Sequence, residues 1–243
     1  MTAVTANAIE RPSPNFGDRA PGTKVDMVVV HYTGMETVED ALHRLCDAGA
    51  HVSAHYLIDE AGQIYALVAE EARAWHAGEA AWAGDSDINS RSIGIEIANP
   101  GHEYGYRDYP KPQIDALIFL AADIIQRHGI PAVRVLGHSD VAPARKQDPG
   151  ERFPWARLAE AGIGLFPPAD LTPDAEPPVL EAFTAGLARF GYGTGLPGTD
   201  PGTLITAFRL HFRPDHLTGP LDGIDGARLR WLLDGTHELG PET

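Results

Sequence analysis

The chain has 243 residues, 43% of them hydrophobic and 22% charged, which is the balance of a folded globular protein with one sizeable core and room for a small accessory domain; wholesale disorder is excluded. Its formal net charge of −15 at pH 7 repels phosphates and anionic headgroups, and Arg145-Lys146 is the one brief basic interruption, so a nucleic-acid partner is excluded. No apolar run approaches membrane-spanning length, which excludes membrane insertion, and no feature implies a protein partner.

The first residues lack a basic n-region, a long apolar h-region and a lipidated cysteine, so a cytoplasmic location is expected, with a periplasmic or wall-associated one as the alternative. Residues 1–24, rich in Pro, Asn and Gly, are expected to be an irregular lead-in. From Val25 to Thr33 an apolar run ends in His31, and its uninterrupted Val/Met content predicts a short strand buried on both faces. A helix is expected over Thr37 to Gly49, with Val38, Ala41, Leu42 and Leu45 at amphipathic spacing. Cys46 lies on that helix as a small core residue, and with no second cysteine it makes no internal disulfide.

Ser53 to Asp59 and Gln63 to Val68, separated by a short turn, predict a β-hairpin carrying His55 as a core or supporting histidine. Ala69 to Asn89 reads as a long connection holding Trp75, His76 and Trp82, the kind of loop that forms binding surfaces. Over Ser92 to Asn99, alternation sets Ile93, Ile95 and Ile97 on one face and Gly94 and Glu96 on the other, so a single carboxylate points out of an apolar strand. Gln113 to His128 is an amphipathic helix with Pro112 at its start and Gly129 at its end. Ala132 to Gly137 predicts a second strand ending in a histidine, His138, and Trp155 to Ala161 a short helix. A proline-rich connector comes next, and then helical periodicity over Val179 to Phe190, Pro201 to Phe212 and Asp225 to Leu233. The expected organisation is residues 1–168 as one domain of α/β class, 169–178 as a linker and 179–243 as a small all-α module.

Two strand-end histidines, His31 and His138, together with Asp148 in a loop bounded by Pro and Gly, supply the donor count of a three-ligand zinc site whose fourth position is left for water. Such a site yields a nucleophile able to attack an amide near neutral pH. Glu96 is the candidate proton carrier and Lys146 the candidate partner of a developing oxyanion. Each has a plain structural alternative when taken alone, and His43, His128, His211, His216 and His237 are read as surface or cap residues. A thiol mechanism at Cys46 is rejected because no base is assigned to it.

His31-Tyr-Thr, Ser53-Ala-His-Tyr-Leu-Ile-Asp, Trp75-His-Ala-Gly, Asn89-Ser-Arg-Ser-Ile-Gly-Ile-Glu-Ile, Gly137-His-Ser-Asp and Lys146-Gln-Asp-Pro-Gly occur in this order. Together they resemble the zinc-dependent N-acetylmuramoyl-L-alanine amidases of the AmpD/AmiD branch, relatives of T7-type lysozyme and the peptidoglycan recognition proteins. The resemblance runs from about Val25 to Phe166. It implies a mixed central sheet flanked by helices and one zinc ion held by His31, His138 and Asp148, with Glu96 as catalytic acid/base and Lys146 as the transition-state lysine. It also implies a substrate groove formed by the stretches that hold Tyr56, His76, Asn89 and Arg91. The implied reaction is hydrolysis of the amide between N-acetylmuramic acid, intact or 1,6-anhydro, and L-alanine in peptidoglycan fragments during cell-wall turnover and recycling. A catalytically silent recognition protein is the alternative. The tail, through Thr203 to Phe212 and Leu221-Asp-Gly223, is similar to three-helix peptidoglycan-binding domains.

Overall fold

The computed structural model describes residues 8–237. Residues 1–7 of the expected lead-in and 238–243 of the expected tail lie outside the described residues, as does the side chain of His237. Eight strands and eight α-helices are described: β1 (Ile9–Glu10), β2 (Phe16–Asp18), β3 (Met27–Tyr32), α1 (Val38–Cys46), β4 (Tyr56–Ile58), β5 (Ile64–Ala66), β6 (Ala72–Ala74), α2 (Ile88–Arg91), β7 (Ser92–Ile97), α3 (Lys111–His128), β8 (Val135–Gly137), α4 (His138–Val141), α5 (Trp155–Glu160), α6 (Leu180–Phe190), α7 (Pro201–Phe212) and α8 (Gly223–His237). Among the described residues no helix is long and apolar enough to cross a membrane.

Six strands form one mixed sheet in the order β1-β5-β4-β7-β3-β8, and β2 pairs with β6 as a separate antiparallel ribbon. β3 lies parallel to both β7 and β8, in a register that sets His31 opposite Glu96. The β4–β5 hairpin is antiparallel, as its turn residues predict. The lead-in is not irregular: Ile9–Glu10 adds an edge strand to β5, and Phe16–Asp18 pairs with the connection after the hairpin. That connection therefore holds β6 and the short α2 instead of being loop throughout. The second predicted strand is shorter than expected, because Ala132–Arg134 forms a 3₁₀ turn before β8 begins.

Alternation along the strands divides the interior into two layers. Val28 and Val30, with Ile93, Ile95 and Ile97, pack under α3 through Ile114, Leu117, Leu120, Ala121 and Ile124, with Trp155 and Leu158 of α5 alongside. On the opposite face Met27, Val29 and Leu136 meet Phe183, Leu187, Leu204, Phe208 and Phe212 from the tail helices. α1 covers Leu57 and Leu67 beside them. Thr37 caps α1 by accepting from the amide of Asp40, and Gly129 ends α3 in a left-handed conformation. The proline-rich connector forms no helix or strand, yet Asp174 N–H donates to Gly223 O at 2.9 Å and ties it to the start of α8.

Candidate active site

His31 leaves β3 on the same sheet face as Met27 and Val29, and Glu96 leaves β7 beside it, because both strands keep the period of two in register. His138 is the first residue of α4, immediately after β8, and Asp148 lies ten residues further along the loop. His31 Nδ1, His138 Nδ1 and Asp148 Oδ2 converge with separations of 2.9, 3.0 and 3.1 Å, and all three residues are buried.

Hydrogen bonding on the outer side determines what these atoms present inward. His138 Nε2 lies 3.0 Å from the carbonyl of Ala77, an acceptor only, so this nitrogen carries the proton and Nδ1 is bare. For His31 the chain is longer. Ser92 Oγ–H donates to Ile88 O at 2.6 Å and so accepts from His76 Nε2–H at 3.1 Å; His76 Nδ1 is then an acceptor and takes the proton of His31 Nε2 at 3.0 Å. His31 Nδ1 is therefore bare as well. Burial, reinforced by His138, holds His31 down to about 4, so the ring is neutral at pH 7. Although burial alone would raise the Asp148 carboxyl, His138 and His31 hold it well below the ordinary carboxylate range.

Three electron-pair donors thus face one point with no hydrogen between them, an arrangement that a cation relieves. Two imidazoles and one carboxylate are the donor set of a catalytic zinc site, and the outer hydrogen bonds are of the kind that fix ligand tautomers. The residues fit a zinc ion on these grounds.

A cavity of about 510 Å³ opens onto this cluster and is lined by Glu96, Lys146, His76, Trp75, Tyr32 and Arg145 among others. Glu96 Oε2 is shut off from solvent and has no hydrogen-bond partner among the described residues. Burial, then the negative charge of Asp148, pushes its carboxyl well above the usual range, with Lys146 opposing. A half-buried carboxyl with one oxygen shut off from solvent, beside a three-donor cluster, has the attributes of a proton carrier.

Of the four residues expected in the substrate groove, the structure brings only His76 to this cavity, where it buttresses His31. Tyr56 points into a separate groove and donates to Glu70 Oε1 at 2.7 Å, because alternation along β4 turns it away from Leu57 and the site face. Asn89 lies behind the cavity and its Oδ1 accepts the amides of His76 and Ala77 at 3.1 and 2.8 Å, shaping the backbone that carries His76. Arg91 is paired with Asp26 and Asp85. His55 is buried under His76, its Nδ1 accepting Gly94 N–H at 3.0 Å. Burial holds it down to about 3, so it is a neutral support. Cys46 is half-buried and its thiol lies 3.3 Å from Arg11 O.

Sequence reasoning missed Ser92, the end of the tautomer chain, and misread His211. His211 is buried and its Nδ1 sits 2.7 Å from Asp140 Oδ2. Its position on the stripe Leu204, Phe208, His211, Phe212 was the available signal.

A mixed α/β fold with a buried two-histidine, one-carboxylate group at the carboxyl ends of parallel strands has the layout of a hydrolase whose site could hold a metal ion. More particularly, the chain belongs to the N-acetylmuramoyl-L-alanine amidase family (Amidase_2), whose model matches residues 21–151. It is similar to the N-acetylmuramoyl-L-alanine amidase AmiD of Escherichia coli K12, with 36% identity over 87% of this chain and 83% of that one. A likeness to the 1,6-anhydro-N-acetylmuramyl-L-alanine amidase AmpD of Enterobacter cloacae, 32% identical, covers 60% of this chain and 86% of the relative. Among solved structures, the E. coli AmiD complex with anhydro-N-acetylmuramic acid-L-Ala-D-γ-Glu-L-Lys superposes with a TM-score of 0.78 at 34% identity, covering 91% of this chain and 98% of that one. AmpDh3 of Pseudomonas aeruginosa, in complex with anhydromuramic pentapeptide, gives 0.76 at 34% identity over 92% and 97%.

Proposed function

We propose that the protein hydrolyses the amide joining N-acetylmuramic acid to L-alanine in peptidoglycan fragments, as part of wall turnover and recycling, with one zinc ion held by His31, His138 and Asp148. The observation that carries this reading is the convergence of three bare donor atoms with Glu96 on the wall of one cavity. A zinc ion in that position supplies Lewis-acid polarisation of the scissile carbonyl and activates water at neutral pH. Glu96 takes the proton of the attacking water and delivers it to the leaving nitrogen, a role suited to a carboxyl whose proton affinity burial has raised. Lys146, half-buried on the same cavity wall, offers its ammonium to the oxygen that becomes negative as the carbonyl turns tetrahedral. His76 and Ser92 hold His31 in its ligating tautomer, and the Ala77 carbonyl does the same for His138.

Substrates of this chemistry are muropeptides, and complexes of the two similar amidases with anhydromuramyl peptides favour the soluble fragments among them. A silent recognition protein does not require a complete donor set beside a desolvated proton carrier. The test is mass spectrometry of products from soluble anhydro-muropeptides and from intact sacculi. Release of the free stem peptide is expected from the soluble substrate, and its absence with a zinc-loaded protein would refute the proposal.

A further inference from the structure

The sequence assigns the tail to wall binding by resemblance, but two of its side chains reach into the amidase part and end on a single buried carboxylate. Asp140 is fully buried in the first turn of α4, the helix that opens with His138. Its Oδ1 accepts the Tyr192 hydroxyl at 2.7 Å, and its Oδ2 lies 2.7 Å from both His211 Nδ1 and the amide nitrogen of Gly137. Gly137 is the residue before His138, so this last bond fixes the backbone from which the histidine projects. Ser139 N–H donates to Asp148 O at 2.9 Å, tying the same turn to the loop of a second donor residue.

His211 is clamped as well as bonded, with its ring stacked on Trp155 at 3.7 Å and on Phe212 at 3.9 Å between centroids. The tail also braces the other side of His138. Ala83 N–H donates to Gly191 O at 2.7 Å and Trp82 bridges Tyr192, which anchors the loop just after the Ala77 carbonyl to which His138 Nε2 donates.

A buried carboxylate is costly unless its lone pairs are met by donors. Here the amidase part supplies one donor, from Gly137, and the tail supplies the other two. We propose that the C-terminal module is a built-in support of the metal centre, with Tyr192 and His211 acting as positioning residues that orient His138 through Asp140. The inference rests on the functional reading above, since it assumes that His138 is a metal ligand. It goes beyond that reading in making the tail a determinant of metal affinity, independent of any wall binding.

The test uses the full-length chain carrying His211→Leu, His211→Asn or Tyr192→Phe. Zinc affinity is read by chelator competition, the visible absorption of the cobalt(II)-loaded protein reports ligand geometry, and melting is followed separately. Loss of an outer hydrogen bond to a metal site costs about 10–100-fold in affinity when the bond is to the ligand itself. One step further out, His211→Leu is expected to weaken zinc binding about tenfold and to shift the cobalt band. His211→Asn, whose amide nitrogen can occupy the place of Nδ1, is expected to restore both. Tyr192→Phe deletes one hydroxyl and supplies the same readouts if the leucine variant does not fold. Variants that melt earlier yet keep wild-type zinc affinity and cobalt spectrum would overturn the inference while leaving the functional reading intact, and so would an asparagine variant no better than leucine. Wild-type protein that takes up neither metal would overturn both.

Discussion

Replacing Glu96 by Gln keeps the shape of the side chain and every metal donor while removing the group able to carry a proton. Proton transfer by a positioned side chain contributes about 10²–10⁴-fold, or about 3–5.5 kcal/mol of barrier at about 1.4 kcal/mol per decade. Turnover of an anhydro-muropeptide by the zinc-loaded variant is therefore expected to fall by that factor, with zinc content unchanged. A second readout comes from stability. Burial and Asp148 raise the carboxyl above its ordinary value of 4.5, so the folded chain binds this proton more tightly than the unfolded chain does. Wild-type protein consequently loses stability as pH rises above about 4.5, at about 1.4 kcal/mol per pH unit, until the folded-state pKa is passed. Gln at this position stays neutral, so in chelated protein the variant should gain on wild type as pH rises above the ordinary carboxyl value. Chelation matters because a bound cation would pull the Glu96 pKa back down. Turnover within about threefold of wild type would remove Glu96 from the chemistry, and a stability difference that ignores pH would show that its carboxyl is not desolvated.

Asp148→Ala is expected to lose the metal while keeping the far-ultraviolet circular dichroism of wild type, because Asp148 holds the fold through its backbone carbonyl; metal analysis of the purified variant checks it. Ser92→Ala breaks the chain that fixes the His31 tautomer one step out from the ligand, and zinc affinity by competition titration should drop about tenfold with little change in melting. Gly191→Ala would place a Cβ 2.5 Å from the Trp82 ring at a residue with φ of 145°, and urea denaturation should show a loss of about 1–3 kcal/mol.

The donor residues were legible because direction along a strand is a local property. In β7 the side chains of Ile93, Ile95 and Ile97 had to oppose those of Gly94 and Glu96 whatever the rest of the chain did, and the same rule sends His31 to the site face. The partners of polar side chains are not local in this way. Nothing near Asn89 or Arg91 in the chain says that one will bind the His76 and Ala77 amides and the other Asp26 and Asp85. Residence in a motif placed both residues near the site, whereas the fold decided that they stand behind it. The lead-in strands escaped notice for a related reason, since two- and three-residue strands are too short to show a period.

The role of the tail was partly legible in β3. A strand apolar on both faces needs two covering layers, and the segments before the connector supply one of them and only part of the other. α3 and α5 close one face, while α1 reaches only as far as Leu57 and Leu67 on the other. Met27 and Val29 share a core cluster with Trp82, Ile88 of α2 and Val141 of α4, and apolar residues of α6, α7 and α8 complete that layer. Proline content reports that residues 169–178 are stiff, not that the helices beyond them stand apart from the sheet. The same docking that buries Met27 and Val29 carries Tyr192 and His211 to Asp140, so the apolar face that needs covering and the carboxylate that needs donors are met by one packing event.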